Sequence, residues 1–567
     1  MLKAPSYWTL PSDQALRLEA HSDSRVTPCF ASRPSGIAAM LRNAAGSQPD
    51  TEALVDGSRR WTWAELFEAS RQIADGLGRL GVQPGERVAL LMGNCAEFVL
   101  AFYAIALRGA VSVPLSTRDS AKGIAFILAQ CGARAIVAQH DLVHLLPSQE
   151  GSPIAPLQII VCGTDETNAT RSGNATRWSD LLVPPSRAAL NPSPSPGSSH
   201  VPSITPAVET GDAPAVILYT SGTTGQPKGA VITHRNVVHS ALHYQYCLGL
   251  RPGERAVLAV PASHVTGLIA IVAAMVSVVG CVIVLREFKA PRFLQLAAQE
   301  RMSYTLMVPA MYALCLRDPG IATCDLKAWR LGGFGGAPMP VSTIEQLVRH
   351  CPAIQLFNAY GATETTSPAT LTPPGSQALD AVGVAVPCAS VVIMDEDGRQ
   401  LPAGESGEVW IAGPMVVPGY WDNLQATEQS FCGGYWKSGD IGTLDANGFL
   451  RVHDRKKDMI NRGGYKVFSV EVENCLMGHP DVLEAAVVGV PCPVLGERVH
   501  AFLRVGVTAA GLADQSALKE SILAECRRDL ADYKVPETLN LTLLPLPRNA
   551  NGKLLKRELR AQLAPPG

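Results

Sequence analysis

Apolar residues along this chain switch repeatedly between two periods, and the alternation predicts a fold class before any motif is considered. From Trp61-Thr-Trp-Ala-Glu-Leu onward, residues 64–80 carry apolar side chains at helical spacing and 88–92 are a short apolar run. Residues 98–108 are helical again, and 110–114 are extended. Repeated strand and helix units of this kind imply a parallel, doubly wound sheet with helices on its faces. Residues 215–218 read as another short buried strand, the chain from Asn236 onward as a helix, and 354–357 as a strand. Residues 1–35 show no strong periodicity and are expected to form a loosely packed extension. Residues 186–214 are rich in Pro and Ser and read as an exposed connection.

The pattern changes near residue 454. Asp454-Arg-Lys-Lys-Asp458 is a charged run between an apolar strand and Gly463-Gly464, which reads as a solvated linker or hinge. Segments 470–477, 485–490 and 517–529 then form a small α+β unit of about 110 residues, a typical domain size. At 567 residues the chain is too long for one core. The expectation is therefore an α/β protein. Residues 1–454 form a large N-terminal domain of doubly wound mixed sheets with helices, and 455–567 a small, mobile α+β C-terminal domain.

Composition narrows the function classes. A net charge of −2 gives no basic footprint, so nucleic acid is not an expected partner. The 14 cysteines are scattered without a C-x-x-C, which argues against a zinc site and a disulfide scaffold. The first 25 residues hold no apolar run, so no signal peptide is expected and a cytoplasmic location follows. Residues 268–285 carry no charge, at the lower limit for spanning a bilayer. Gly280 divides them, and the two parts read as a buried helix, a turn and a buried strand rather than a membrane span.

One segment concentrates chemistry. Tyr219-Thr-Ser-Gly-Thr-Thr-Gly-Gln-Pro-Lys-Gly229 packs three glycines, four aliphatic hydroxyls and one lysine into eleven positions. Glycines let backbone N–H groups approach anionic oxygens, hydroxyls donate further bonds, and Lys228 adds charge, so the loop is built to hold phosphate. It lacks the Gly-Lys-Ser/Thr ending of a Walker A loop. With a strand before it and a helix after, it is expected at a strand-to-helix turn, where open α/β sheets bind ligands. In Asn358-Ala-Tyr-Gly-Ala-Thr-Glu-Thr-Thr366, an aromatic ring beside glycine can stack on a purine, and Thr363 with Glu364 can offer hard oxygens to phosphate and Mg²⁺. Tyr435-Trp-Lys-Ser-Gly-Asp440 places a carboxylate straight after a glycine turn, a geometry suited to ribose hydroxyls.

Together these segments resemble the adenylate-forming superfamily of acyl-CoA synthetases, luciferases and peptide-synthetase adenylation domains, from about residue 50 to about 560. The resemblance implies that Thr220, Ser221, Gly222, Thr223, Thr224, Gly225 and Lys228 hold the phosphates of ATP, with Thr220 also serving catalysis. It makes Tyr360 the adenine-stacking residue, with Asn358, Gly361 and Thr363 beside the nucleotide and Glu364 as the Mg²⁺-associated catalytic carboxylate. Asp440, helped by Arg455, is assigned the ribose. Gly335, Gly336 and Ala337 resemble the family segment lining both adenine and acyl sites. His264, in Pro261-Ala-Ser-His-Val-Thr-Gly267, corresponds to the mouth of the acyl pocket. Pro547-Arg-Asn-Ala-Asn-Gly-Lys553 matches the family's C-terminal signature, so Lys553 is the catalytic cation, with Gly464 on the loop that follows the hinge and Lys457 at the hinge itself.

The resemblance implies an ATP-dependent acyl-CoA synthetase that uses Mg²⁺ and coenzyme A. Amino-acid-activating relatives carry an aspartate near His264 to pair with the substrate ammonium, and this chain has no Asp between Asp212 and Asp318. Small Ala262, Ser263 and Gly267 favour a roomy, uncharged pocket for a medium-length aliphatic or aryl acid. One departure is Asn461, where several acyl-CoA-forming relatives carry lysine. The first rival reading is an acyl-adenylating enzyme that loads a separate carrier protein. The second is a nucleotide-binding regulator without turnover, against which Lys553, Glu364 and Asp440 speak.

Overall fold

The computed structural model describes residues 7–147, 157–163, 175–182, 210–220, 226–376, 378, 380–506, 515–548 and 554–563. Two units are formed, one from Met1–Val391 with Ile411–Trp436 and one from Val392–Trp410 with Lys437–Gly567.

The larger unit follows the alternating pattern. Trp63–Arg79 begins with a capping box: the Thr62 hydroxyl accepts from the Glu65 amide, and the Glu65 carboxylate accepts from the Thr62 amide at 2.9 Å. The next units are the strand Arg87–Leu91, the helix Ala96–Leu107 and the strand Val111–Pro114, close to the expected spans. Ala96–Leu107 is apolar nearly all round because it is buried on most of its circumference. One sheet runs in the order Lys228–Thr233, Pro214–Thr220, Val111–Pro114, Arg87–Leu91, Ala133–Gln139, Gln158–Cys162, Ala175–Arg177, and is parallel except for its first strand. A second parallel array runs Gln355–Tyr360, Leu331–Phe334, Tyr304–Met307, Arg255–Leu258, Cys281–Val284, Glu52–Asp56. The uncharged stretch is a buried π-helix Thr266–Ala273, a short helix Ala274–Ser277 and the strand Cys281–Val284. No helix among the described residues is long and apolar enough to cross a membrane.

Two expectations are corrected. Residues 7–30 are not loosely packed: Leu16–Ala20 and Val26–Phe30 form an antiparallel hairpin. Cys29 and Phe30 are fully buried, and the Trp8 indole donates to the Ala385 carbonyl at 2.7 Å. The Phe30 ring stacks on His239 at 5.1 Å. Leu16–Ala20 does alternate apolar and polar residues, but the alternation does not mark a buried face: Leu18 is exposed, while Glu19 is half-buried and pairs with Arg17 and Arg33. The phosphate loop is also not at a strand-to-helix turn. Lys228–Thr233 is a strand antiparallel to Pro214–Thr220, with Thr220 opposite Lys228, and the helix starts only at His234. Residues 228–233 hold β-branched Val231, Ile232 and Thr233, which favour a strand over an early helix.

In the smaller unit, Tyr435–Leu444 pairs antiparallel with Phe449–Arg455 through residues 440–444. A separate sheet runs Tyr465–Val467, Ile460–Arg462, Gly496–Val505, Val482–Cys492, with Thr538–Thr542 parallel to Gly496–Val505. Its faces alternate. Val487, Ala501 and Leu503 meet the helices Ser469–Gly478 and Gln515–Asp529, whereas Ala486, Val488 and Phe502 meet Leu559 of the helix Lys556–Ala561.

One polar side chain ties the strand ends of the larger unit together. Asn94, just past Arg87–Leu91, is buried, and its Nδ2 group faces the carbonyls of Leu258, Val260 and Leu285 at 3.0–3.1 Å. Its Oδ1 accepts from the Ala262 amide at 2.8 Å. Asn94→Leu keeps the volume but strands these buried backbone groups, so it should destabilise the larger unit by about 2–4 kcal/mol, read as a lowered denaturation midpoint. Asn94→Asp should be at least as damaging, because a carboxylate would face carbonyl oxygens. Wild-type stability in both variants would show that the chain ends are held elsewhere.

Candidate active site

Within the larger unit, three of the expected segments lie at the carboxyl ends of one parallel array. Leu331–Phe334 and Gln355–Tyr360 are neighbours, with Phe334 opposite Asn358, so Gly335, Gly336 and Ala337 leave their strand beside Asn358, Tyr360 and Gly361. The approach is close: a side chain at Gly335 would meet the Ala359 carbonyl oxygen at 2.5 Å, which only glycine avoids. Gly336, Ala337 and Gly361 are exposed, while Asn358, Tyr360 and Thr363 are partly buried. The Asn358 amide donates to the Thr372 hydroxyl at 3.2 Å, which fixes the strand end. His264 follows the strand Arg255–Leu258 on the segment that Asn94 holds through Ala262. Its ring is exposed, and its backbone carbonyl accepts from Leu268 at the start of the buried helix.

Glu364 sits in a single turn, Thr363–Thr365, and is 8% exposed. Its Oε1 accepts from the Tyr420 hydroxyl at 2.8 Å, and its backbone carbonyl accepts from Val417. Burial first, and then the neighbouring carboxylate, push the Tyr420 phenol above its ordinary pKa, so it stays a donor. The same ring lies under the ammonium of Lys228, 5.2 Å from its centroid. Backbone bonds fasten the arrangement, because Val231 donates to Gly419 and Trp421 donates to Gly229. Tyr420 thus joins the lysine after the phosphate loop to the carboxylate of a different motif. The sequence reading missed it, because an aromatic after apolar Val416-Val417 looks like any core residue. Thr220 ends its strand, partly buried, and Ser221, Gly222, Thr223, Thr224 and Gly225 lie outside the described residues.

The second group of expected residues lies in the smaller unit. Asp440 does not follow a turn, as expected, but lies inside the continuous strand Tyr435–Leu444. Gly439 takes φ +68 and kinks the strand without ending it, because its carbonyl still accepts from Lys456. Asp440 is opposite Arg455, and its Oδ1 pairs with Arg455 Nε at 2.7 Å. Asp440 is buried and Arg455 is partly exposed. Lys457 is exposed in the turn that follows, and Gly464 is at the tip of the hairpin between Ile460–Arg462 and Tyr465–Val467. The charged run is not wholly solvated, because Asp454 and Asp458 are buried. Lys553 lies outside the described residues. Its flanks are joined, since Arg548 and Leu554 form an antiparallel bridge.

Among the described residues no group of three His, Cys, Asp or Glu side chains could hold a metal. A Mg²⁺ ion binds through one or two carboxylates and otherwise through substrate phosphate and water oxygens. The buried hard-oxygen donor at Glu364 is compatible with that mode.

Comparison with known proteins agrees with this geometry. The sequence matches the AMP-binding enzyme family over residues 41–421 and the AMP-binding enzyme C-terminal domain over residues 471–553. It is 34% identical over 532 residues to the long-chain-fatty-acid–CoA ligase FadD13 of Mycobacterium tuberculosis, covering 92% of this chain and 97% of that one. It is 31% identical to the fatty acid–[acyl-carrier-protein] ligase ScoC of Streptomyces coeruleorubidus, covering 91% and 94%. The o-succinylbenzoate coenzyme A synthetase MenE of Bacillus subtilis, solved with ATP and magnesium ion, shares the fold with a TM-score of 0.75 at 28% identity, covering 92% of this chain and 99% of that one. The carboxyl-edge cluster, the buried Glu364 and the matches along nearly the whole chain lead to one assignment: the chain belongs to the AMP-binding enzyme family of the adenylate-forming superfamily, among its AMP-forming acyl-CoA synthetases.

Proposed function

We propose that this enzyme activates a medium-chain aliphatic or aryl carboxylic acid with ATP and transfers the acyl group to coenzyme A. The observation that carries the reading is the buried Glu364, held by Tyr420 beside Lys228 and following the strand end that bears Tyr360. In the first step a carboxylate oxygen attacks the α-phosphorus and pyrophosphate leaves. In the second, the thiol sulfur attacks the acyl carbonyl, AMP leaves and the thiol proton is released. No side-chain nucleophile takes part, so positioning and charge stabilisation supply the rate.

The residues divide that work. Thr220, Ser221, Thr223, Thr224 and Lys228 hold the phosphates, with the glycines between them allowing close approach. Tyr360 stacks on adenine, and Asp440, oriented by Arg455, accepts from ribose hydroxyls. Glu364 and Thr363 would hold Mg²⁺, which when bound neutralises phosphate charge. Lys553 offsets the repulsion between carboxylate and α-phosphate, about 1 kcal/mol per unit pair at 4 Å in water and more when dry. Lys457 absorbs the backbone change between the steps, at the boundary between residues 1–454 and 455–567. The uncharged surroundings of His264 support an aliphatic or aryl acid. FadD13 is named for a long-chain fatty acid and MenE for o-succinylbenzoate, which supports aliphatic and aryl acids as classes; the medium chain length rests on the reading of the pocket residues alone. Transfer to a carrier protein is the second reading, favoured by the likeness to ScoC and by Asn461.

Pyrophosphate exchange over a panel of acids, with mass spectrometry of the thiol products, tests the whole reading. Exchange should need ATP, Mg²⁺ and an aliphatic or aryl acid, and acyl-CoA should form when coenzyme A is added. An adenylate that never yields acyl-CoA but acylates a holo carrier protein would replace coenzyme A as acceptor.

Substitutions separate the roles. Glu364→Gln and Asp440→Ala should each slow adenylation about ten- to a hundredfold, the first partly rescued by raised Mg²⁺ and the second not. Tyr420→Phe should give a smaller loss of about three- to tenfold, with the Mg²⁺ requirement shifted upward. Wild-type rates in any of the three would remove that residue from the site.

Lys553→Ala should abolish adenylation yet still convert supplied acyl-adenylate to thioester. Lys457→Pro, with φ locked, should adenylate but stall before thioester. Equal loss of both steps in the proline variant would defeat the hinge assignment.

A further inference from the structure

Gln130, in the last turn of the helix Ala121–Cys131, bridges two chain segments that flank the strand Lys228–Thr233. Its Oε1 accepts from the Tyr219 hydroxyl, and its Nε2 donates to the Trp421 carbonyl at 2.8 Å. The carbonyl can only accept, so the amide nitrogen must face it and the amide oxygen is left for the phenol proton. The two ends of the side chain are therefore not interchangeable. Gln130 also stands on a fixed support. Arg87 donates from Nε to the Cys131 carbonyl at 2.5 Å and from Nη2 to the Gly132 carbonyl at 2.8 Å. The same guanidinium covers the Trp421 ring, 5.4 Å from its centroid.

The strands between these two anchors carry the proposed phosphate residues on their other face. Tyr219 pairs with Gly229 across the hairpin, and Thr220 with Lys228. Successive strand residues face opposite sides, so Tyr219 and Gly229 lie on the side of Gln130, and Thr220 and Lys228 on the other. Gly229 leaves room for this packing, because a Cβ there would stand 2.7 Å from Ile217 Cγ2 and 3.1 Å from the Tyr219 ring. Residues 419–421 lie along the far edge of the hairpin: Val231 donates to the Gly419 carbonyl at 3.0 Å, and Trp421 donates to Gly229 at 2.7 Å. Trp421 packs with Tyr219 against Ile124, Ile127 and Leu128 of the helix that bears Gln130. Tyr420 instead reaches the Lys228 ammonium with its ring and Glu364 with its hydroxyl.

We propose that Gln130 is a positioning residue for the adenylation step, which fixes the Tyr420 segment against the phosphate-loop hairpin and so sets the spacing between Lys228 and Glu364. The role rests on the reading of those two residues as phosphate and Mg²⁺ residues. Tyr420 joins them through side-chain contacts alone, so their spacing follows its backbone. That backbone is tied on both sides of Trp421, by its N–H to the strand that bears Lys228 and by its carbonyl, through Gln130, to the strand that ends at Thr220. Without the second tie, the segment is held to the hairpin along one strand edge only. A tilt of that edge carries the Tyr420 hydroxyl away from its place, and Glu364 moves with it because the Glu364 carbonyl accepts from Val417 of the same segment. MgATP would span both residues, whereas an acyl-adenylate has neither a β- nor a γ-phosphate.

The test uses the full chain with Gln130→Met, Gln130→Glu and Tyr219→Phe, and measures two activities in each preparation. One is pyrophosphate exchange against MgATP concentration. The other is thioester formation from supplied acyl-adenylate with coenzyme A, or with holo carrier protein if that is the acceptor. Gln130→Met should raise the KM for MgATP and lower kcat/KM of exchange about three- to tenfold, with thioester formation within about twofold of wild type. Gln130→Glu keeps an acceptor for Tyr219 but sets a carboxylate oxygen against the Trp421 carbonyl, and should be at least as harmful. Tyr219→Phe should be milder and should add nothing to Gln130→Met, since its hydroxyl then has no amide partner to lose. The ratio of the two activities cancels any unfolded fraction, so a purely structural role would lower both by one factor with KM unchanged. That result, wild-type exchange in both Gln130 variants, or full additivity in the double variant would overturn the positioning role while leaving the adenylation reading intact. Absence of exchange in the wild type with every acid would overturn the adenylation reading and the positioning role with it.

Discussion

The carboxyl ends of parallel strands are where an α/β sheet has free backbone groups, and in the larger unit one buried amide gathers several of them in a single place. Asn94 turns its two N–H groups toward three carbonyls and accepts from one backbone N–H, reaching two strand ends and the segment that carries His264. The strand that delivers Asn94 belongs to a different sheet from the strands it holds. The relative height of two sheets is thus set by a side chain with two donors and one acceptor rather than by shape alone. Apolar packing tolerates small slips, whereas hydrogen bonds converging on one buried amide do not. A nucleotide site built along those strand ends needs that exactness of level.

The same logic recurs with charge. Glu364 and Asp440 are buried carboxylates held by partners of different kinds: the Tyr420 hydroxyl bonds the first, and the Arg455 guanidinium pairs with the second. A neutral hydroxyl orients Glu364 without neutralising it, which suits a group meant to meet a cation. A guanidinium orients Asp440 and offsets its burial, which suits a group meant to accept from neutral hydroxyls. The choice of partner therefore follows the chemistry expected at each carboxylate.

Much of this was legible in the sequence. Helix and strand identities followed from periodicity, since 64–80 became Trp63–Arg79 and 517–529 became Gln515–Asp529. The motifs around Tyr360 and Lys228 named residues that do gather at strand ends. What escaped was of two kinds. Elements whose stability comes from pairing were misread, such as the N-terminal hairpin, with its polar Arg17 and Glu19, and the strand Lys228–Thr233. Single residues whose partners are distant in sequence were invisible, since nothing local marks Tyr420 against 56 residues of separation from Glu364. Asp440 was given the wrong backbone, because a Gly-Asp pair looks like a turn when the strand on either side is short of apolar residues.

The N-terminal hairpin has one more consequence. Phe30 lies against His239, which with His243 sits on the helix His234–Leu248 and is wholly buried. Burial holds both imidazoles neutral, His243 down to about 3 and His239 well below its ordinary value. A chain trimmed to begin at residue 41, where the family match starts, would lose that cover. Two imidazoles would then meet water on a helix that packs into the core, and would gain charge as pH falls toward the ordinary histidine range. The hairpin is thus part of the cover under which the helix carries two neutral imidazoles in the interior.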